Sequence, residues 1–446
     1  MTRVRRQWHL IVLAAWAAVW FAMRAPHGGI AWKFFVQGTD ILFTSHGIPG
    51  AHRPGLDLYA VYPQLQIGPA AYAVAEVLRQ LGPDYGLVAA EIVMTGMGLL
   101  VIALTQGIAV AARPELAARP ARLRRYLLVA GAFFVIAWEE LAVAFGHLDD
   151  CLAITCAVAG VWAWVALRAS AQVRAALTGT AIGLAAAAKP WAFVFLPVIA
   201  LPLIAAPLIA APSSVTRALT GRLLLAGPWR PRLAAVAVAA GCGAVVTSAA
   251  WLPFFTGDGA TANALHYQIA NMPNSALRAL GVSSSRTPSW DRAVQILLGC
   301  ALGAVAIVRR RWAAVILLGA GARIALDPGV HKYYTPEVMA GALLWELVGQ
   351  RRAWPVWTVL GFLTLNMAPA VVSDNALLGG IRLAVVVAFT AAVLLAPARW
   401  CWRGAPDRAP PGTGQDDVDD VDGAGTVDGA GGADQQCGPA VPDALG

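Results

Sequence analysis

Lysine is nearly missing from this chain: Lys33, Lys189 and Lys332 are the only three in 446 residues, and the other thirty basic residues are arginine. Charge of any kind is scarce, at 13% of residues, where a soluble domain carries about 25%. That balance excludes an ordinary water-soluble fold. The six cysteines (Cys151, Cys156, Cys242, Cys300, Cys401, Cys437) show no CxxC and no metal-ligand spacing, which removes zinc ribbons and dithiol redox motifs; in apolar helices they act as small hydrophobes. There is no GxxxxGK[ST], and no GxGxxG after a strand, so no ATP- or NAD-driven reaction is indicated. No fixed-period repeat and no interval long enough for a separate soluble domain occur. The first apolar run, residues 10–23, follows Arg3, Arg5 and Arg6 without a cleavage site and reads as a retained helix.

What remains is apolar: 58% of residues are hydrophobic. A bilayer core of about 30 Å takes roughly 20 helical residues. The apolar windows predict an all-α polytopic membrane protein with about twelve spans, at 8–24, 86–111, 126–146, 151–168, 175–188, 191–211, 233–254, 292–308, 312–326, 336–349, 354–371 and 380–398. This register puts 22 of the 33 basic residues, and both termini, on the cytoplasmic side, as the positive-inside rule requires. The segment 66–81 is apolar but short, and is expected along the outer surface. A long first extracytoplasmic loop covers about 25–85, and a second about 256–291. The membrane domain ends near residue 403. The tail 404–446, rich in Gly, Asp and Pro and without apolar periodicity, is expected to be a disordered, acidic, cytoplasmic segment. It contributes −8 to a formal net charge of +8, so the membrane body carries +16. Most of that charge is the topology signal itself; it suits membrane lipids and phosphorylated ligands, and no nucleic acid partner is indicated.

The most informative stretch is His147-Leu148-Asp149-Asp150, between two apolar runs and just after Glu139 and Glu140. Ionisable residues at membrane depth are expensive and mark polar, water-accessible sites; an ordinary acidic turn is the plainer reading. His147, Asp149 and Asp150 could hold a divalent cation, but three such groups in one turn serve equally as a hydrogen-bonding site for a sugar or phosphate. All three lysines fall on the outer side of the predicted topology, each in polar or aromatic company: Lys33 in Trp32-Lys33-Phe34-Phe35, Lys189 before Pro190-Trp191, and Lys332 in a segment with Asp327, His331, Tyr333 and Tyr334. An ammonium suits a phosphate oxygen, while a lysine near a helix end also snorkels without any ligand. The first outer loop adds Asp40, Asp57, Tyr62 and Gln66. Its carboxylates could take a proton from an acceptor hydroxyl.

Taken together, the outer loop after the first span, the acidic outer turn and the Gly-Leu-Ala-x-x-x-Lys-Pro break resemble the membrane-embedded GT-C glycosyltransferases. The nearest likeness is to glycosyltransferase family 87, the polyprenyl-phosphate-mannose-dependent mannosyltransferases of actinobacteria. It is carried by Trp32–Phe43 and by residues 59–69, 146–150, 183–197 and 327–334. The resemblance implies a GT-C-like fold and an inverting transfer of a hexose, mannose foremost, from a polyprenyl-phosphate donor to a lipid or glycan acceptor. It places the active site on the extracytoplasmic face of the plasma membrane, with an aspartate of the first outer loop as general base. Here the chain departs from the family: the acidic position after the first helix falls at or near Ala31, within Gly28-Gly29-Ile30-Ala31-Trp32-Lys33. The candidate bases are then Asp149, Asp57, Asp40 and Asp150, in that order. His147, Lys189, His331, Lys332, Tyr333, Tyr62, Gln66 and Lys33 are the candidate substrate contacts. No metal ligand set is assigned. A multi-pass transporter and a non-catalytic polyprenyl-lipid-binding scaffold are the rival readings; a transporter normally shows related halves with matching broken helices, whereas these polar motifs gather near one face.

Overall fold

A computed structural model describes residues 7–43, 55–82, 85–203, 229–256, 260–329, 331–350 and 352–395. They are helical almost throughout, and the one β contact among them is an isolated antiparallel bridge between Ala270 and Arg286. All fall within the unit 1–404. The acidic tail, His46, His52 and the first three arginines lie outside the described residues.

The helices, in chain order, begin with α1 (Trp8–Arg24), α2 (Trp32–Phe43), α3 (Pro69–Arg79), α4 (Gly86–Ala112), α5 (Pro120–Glu139), α6 (Leu148–Val165) and α7 (Ala171–Ala188). A 3₁₀ segment, Pro190–Leu203, follows α7. Then come α8 (Trp229–Phe255), α9 (Asp291–Val308), α10 (Val315–Leu326), α11 (Thr335–Gly349), α12 (Val356–Gly361, continued by a π-helical turn) and α13 (Asn375–Leu395).

Within the described residues every predicted span coincides with a helical segment, but they are not all of one kind; residues 204–211 and 396–398 of two expected spans lie outside the described residues. Among the described residues, seven stretches are long and apolar enough to cross a membrane: Trp8–His27, Gly86–Ala112, Pro120–Phe145, Leu148–Val165, Trp229–Phe255, Asp291–Val308 and Asn375–Leu395. This is a multi-pass membrane protein; the described residues show seven full-length spans where the sequence reading has twelve. The other segments are shorter or less apolar. α10 and α11 have 12 and 15 residues, or roughly 18 and 22 Å at 1.5 Å per residue, which is too short for a hydrocarbon core.

The short helices are instead enclosed by protein. α10 is buried along its whole length and α11 from Thr335 to Val348, while the long helices α8, α9 and α13 expose apolar side chains such as Val245, Leu297 and Val387. Helices buried all round need no amphipathic pattern, and apolar exposure on the outer ones suits lipid. α7 and α8 meet through small residues: a Cβ on Gly183 would lie 2.7 Å from the Gly243 carbonyl oxygen, so only glycine allows the backbones this close.

The described parts of the segment 25–85 are more regular than the sequence indicates. α2 and α3 pack through Phe35 and Tyr72, whose rings are 6.2 Å apart. α3 buries Ala71, Tyr72 and Ala75 and leaves Val77 exposed.

Candidate active site

α5 ends in a π-helical turn, Glu140–Phe145, stopped by Gly146 in the left-handed conformation (φ 69°). Glycine adopts this at no steric cost, and a side chain there would also press on Gly29, whose Cα lies 3.0 Å from the Cβ position. The chain then enters α6 with His147 as N-cap, which sets Asp149 and Asp150 in its first turn. Carboxylates at a helix N-terminus interact favourably with its dipole. Both side chains are fully buried.

Two cations and an indole meet them. Pro190 excludes the preceding residue from helical geometry, so α7 stops at Lys189 (φ −149°, ψ 125°), whose ammonium donates to Asp149 Oδ2. It also lies 3.6 Å from Asp150 Oδ2. Asp149 Oδ1 accepts from the Asp150 N–H at 3.0 Å. Asp150 Oδ1 accepts from Trp191 Nε1 at 2.7 Å and from Arg323 Nη1 at 3.2 Å. Arg323, near the end of α10, donates as well to Glu337 Oε1 of α11, and its Nε is 3.5 Å from Asp327 Oδ2. Its guanidinium lies 4.1 Å from the ring centroids of both Trp191 and Tyr334. Four carboxylates therefore gather around two cations. Buried charge is tolerated only where it is paired and hydrogen-bonded.

His147 is the accessible edge of this cluster, with 17% of its side chain exposed and Nδ1 3.5 Å from both Asp149 Oδ1 and Asp150 Oδ2. The ligand atoms of these three residues lie within 4.8 Å of one another, compatible with a divalent cation. Lys189 already places a positive charge on the same carboxylates, so the ammonium supplies much of what a metal would. Over His147 runs an aromatic ladder. Tyr333 lies 4.1 Å from the His147 ring, and His331 lies 4.9 Å beyond, almost parallel to Tyr333 at 7°. Burial pushes the Asp327 carboxyl above its ordinary value despite Arg323. Burial, His147, Arg323 and Arg382 hold His331 below the usual imidazole value.

The first outer loop closes on this cluster at two points. The Gly29 and Ala31 N–H groups donate to the Val143 and Phe145 carbonyls at 2.8 and 2.7 Å. Ala31 is thus tied to the turn that leads into His147. Farther along, the Gly68 N–H donates to Ala188 O at 2.8 Å, next to Lys189. Tyr59 fixes that strand of the loop, donating to Ile67 O at 2.7 Å while its ring lies 5.2 Å from Trp251. Gln66 follows the same path with Nε2 buried and unpartnered, and Tyr62 is half-buried.

Of the residues singled out from sequence, the fold gathers His147, Asp149, Asp150, Lys189, His331 and Tyr333. Lys332 opens the short 3₁₀ turn beside them and is half-buried. Asp57, also half-buried, sits at the N-cap of the turn Leu58–Val61. Lys33 and Asp40 are elsewhere, on exposed positions of α2. Lys33 lies 5.2 Å from the Phe34 ring, and Asp40 pairs with Arg79 at 2.5 Å. Glu139 and Glu140 also point away: Glu139 accepts from the Thr95 hydroxyl at 2.9 Å and Glu140 pairs with Arg24 at 2.7 Å. Arg323, Glu337 and Trp191 are members that sequence reasoning missed. A lone arginine in one apolar run and a lone glutamate early in the next were the available signals, by the same rule that drew attention to Asp149.

No family model matches the chain, and no curated protein matches it. Among solved structures it is similar to ArnT from Cupriavidus metallidurans in the apo state, at 17% identity and a TM-score of 0.45, over 86% of this chain and 76% of that one. The same enzyme bound to undecaprenyl phosphate matches over the same shares at 15% identity and a TM-score of 0.39. Likeness at this level is too loose to place the chain in a family.

Proposed function

We propose that this protein is a membrane glycosyltransferase that moves a hexose, mannose foremost, from a polyprenyl-phosphate donor to a lipid or glycan acceptor on the extracytoplasmic face of the plasma membrane. The observation that carries the reading is the pair Asp149 and Asp150, wholly buried and held by Lys189, Trp191 and Arg323. A partly exposed imidazole backed by these carboxylates suits proton transfer from an alcohol. The sequence resemblance to family 87 supplies the substrate class.

In the reaction, the acceptor hydroxyl oxygen forms a bond to the anomeric carbon. The bond from that carbon to the phosphate oxygen breaks, and its electron pair leaves with the polyprenyl phosphate. The hydroxyl proton passes to the Asp149–His147 edge of the cluster, where Lys189 steadies the carboxylate. Asp149 is thus the foremost catalytic carboxylate, with Asp150 organising the cluster through Arg323 and Trp191. Tyr333, His331 and Lys332 line the donor side, and Tyr62 and Gln66 the acceptor side. The chemistry uses no cofactor in this reading.

The test is transfer of radiolabelled mannose from a polyprenyl-phosphate carrier by the purified protein in lipid nanodiscs, with membrane glycolipid extract as acceptor. Wild-type protein should label a lipid or glycan product, and Asp149→Asn should abolish it. A wild type that labels nothing from mannose or other hexose donors returns the protein to the transporter and scaffold readings.

A further inference from the structure

Two buried glutamates, Glu91 and Glu139, take no part in the proposed chemistry. Glu91 lies in the second turn of α4 and Glu139 ends α5, and each is 1% exposed. Thr95 stands one helical turn beyond Glu91, on the same face of α4, and its hydroxyl donates to Glu139 Oε2 at 2.9 Å. Both acids border Thr95, and Glu91 is within electrostatic reach of Glu139. The two helices are fixed to each other here: Trp138 Nε1 donates to Met94 O at 2.7 Å, and a Cβ on Gly98 would lie 2.5 Å from the Trp138 ring.

Oε1 of each acid is buried without a hydrogen-bond partner among the described residues. Neither carboxylate has an ion pair there, and Arg24 is taken by Glu140. That separates the pair from Asp149 and Asp150, whose burial Lys189 and Arg323 offset. A buried carboxylate is costly unless a positive charge joins it.

A backbone oxygen faces the same region. The Val143 carbonyl, in the π-helical turn after α5, accepts from the Gly29 N–H at 2.8 Å and keeps a second lone pair. A Cβ on Gly28 would lie 2.5 Å from that oxygen and 2.6 Å from Glu91 Oε1. Glycine at this position keeps a side chain out of the space between a carboxylate oxygen and a carbonyl oxygen.

We propose that Glu91 and Glu139, with the Thr95 hydroxyl and the Val143 carbonyl, bind one calcium ion. The donors are all oxygen, which suits a hard cation. Two carboxylates balance a dication, whereas a monovalent ion leaves one buried charge unmatched. Magnesium keeps several of its waters and demands a near-ideal octahedron; calcium takes carboxylate and carbonyl oxygens in flexible geometry. The ion ties α4 and the π-helical turn to the start of the first outer loop. The site does not depend on the sugar-transfer reading, and it is separate from the His147, Asp149 and Asp150 group.

Thermal unfolding of the full-length protein in nanodiscs, freed of divalent ions by chelation, tests this against calcium, magnesium and sodium. Millimolar calcium should raise the wild-type Tm by several degrees, as a ligand of the folded state does, and magnesium and sodium at equal ionic strength should do much less. Glu91→Gln and Glu139→Gln should each abolish the calcium shift, Thr95→Val should reduce it, and Asp149→Asn should keep it. An equal shift with sodium or magnesium, or no calcium shift in wild type, overturns the proposal. A wild type stabilised by acidification and not by calcium shows that the pair holds a proton, and overturns it too. A shift kept by both glutamine variants and lost in Asp149→Asn moves the ion to the His147 group. Should the glutamine variants not fold, an unchanged calcium response in both Thr95→Val and Glu139→Asp overturns it instead.

Discussion

Lys189 and Asp149, forty positions apart, are joined by a hydrogen bond between the end of one helix and the start of another. The ammonium leaves α7 where Pro190 stops it, and the carboxylate belongs to the first turn of α6. Each supplies what the other's burial demands.

Removing one partner should therefore cost more than removing both. Lys189→Met is expected to destabilise the protein by about 3–5 kcal/mol, the usual penalty for orphaning a buried charge. Lys189→Met with Asp149→Asn should recover part of that, leaving a coupling of about 0.5–3 kcal/mol. Denaturation in mild detergent, followed by tryptophan fluorescence, measures the cycle. Additive single effects would mean the bond contributes nothing.

The candidate bases should separate sharply in turnover. Asp149→Asn is expected to lose at least about a hundredfold, the low end for a general base. Asp40→Asn should change turnover less than about twofold, because Asp40 is exposed and held by Arg79 away from the cluster. Initial rates with saturating donor decide the matter, and an Asp40 variant as damaged as Asp149→Asn would reverse the ranking.

Gly68→Val should loosen the outer loop. Its N–H bonds to Ala188 O, and a Cβ there would run into the backbone of Ala187 and Ala188. Overpacking of this kind costs about 1–3 kcal/mol. Hydrogen exchange should rise across residues 59–68 while α6 stays protected. Unchanged exchange would show that the loop is held by other contacts.

Topology can be read from single cysteines in a cysteine-free background. Ser373→Cys should react with an impermeant maleimide from outside, and Ser170→Cys only after the membrane is opened; both positions are exposed in the fold. Labelling of both from one side would break the register.

Helix order was legible because apolar runs bounded by arginine are a strong signal, and each run became helical where the residues are described. The number of crossings was not, since a short helix buried among others and a helix facing lipid are equally apolar; α10 and α11 differ from α9 in their neighbours rather than in composition. Asp149, Asp150, His147 and Lys189 could be singled out because they are polar where polarity is costly. Their partnership could not. Arg323 reaches Asp150 across 173 positions, and no periodicity reports a contact at that separation. For the same reason Lys189 was legible as functional while its partner was not: sequence marks it as a cation beside a break, and only the fold shows the carboxylate it faces.

The short central helices also bear on how the chain is made. An ionisable residue in a membrane helix is costly on insertion, and α10 has only 12 residues to offset Arg323 in its last turn. Its partner Glu337 belongs to the next helix, translated afterwards. Neither segment is suited to leaving the translocon alone. We infer that α10 and α11 are released as a hairpin, and into a bundle in which α6 already presents Asp150. Glycosylation mapping of truncated chains provides the test: one ending after α10 should leave that helix outside the bilayer, and one ending after α11 should bring both in. The pairing that organises the site would then also set the order of biogenesis, with the central hairpin entering only once the earlier helices have prepared a polar place for it.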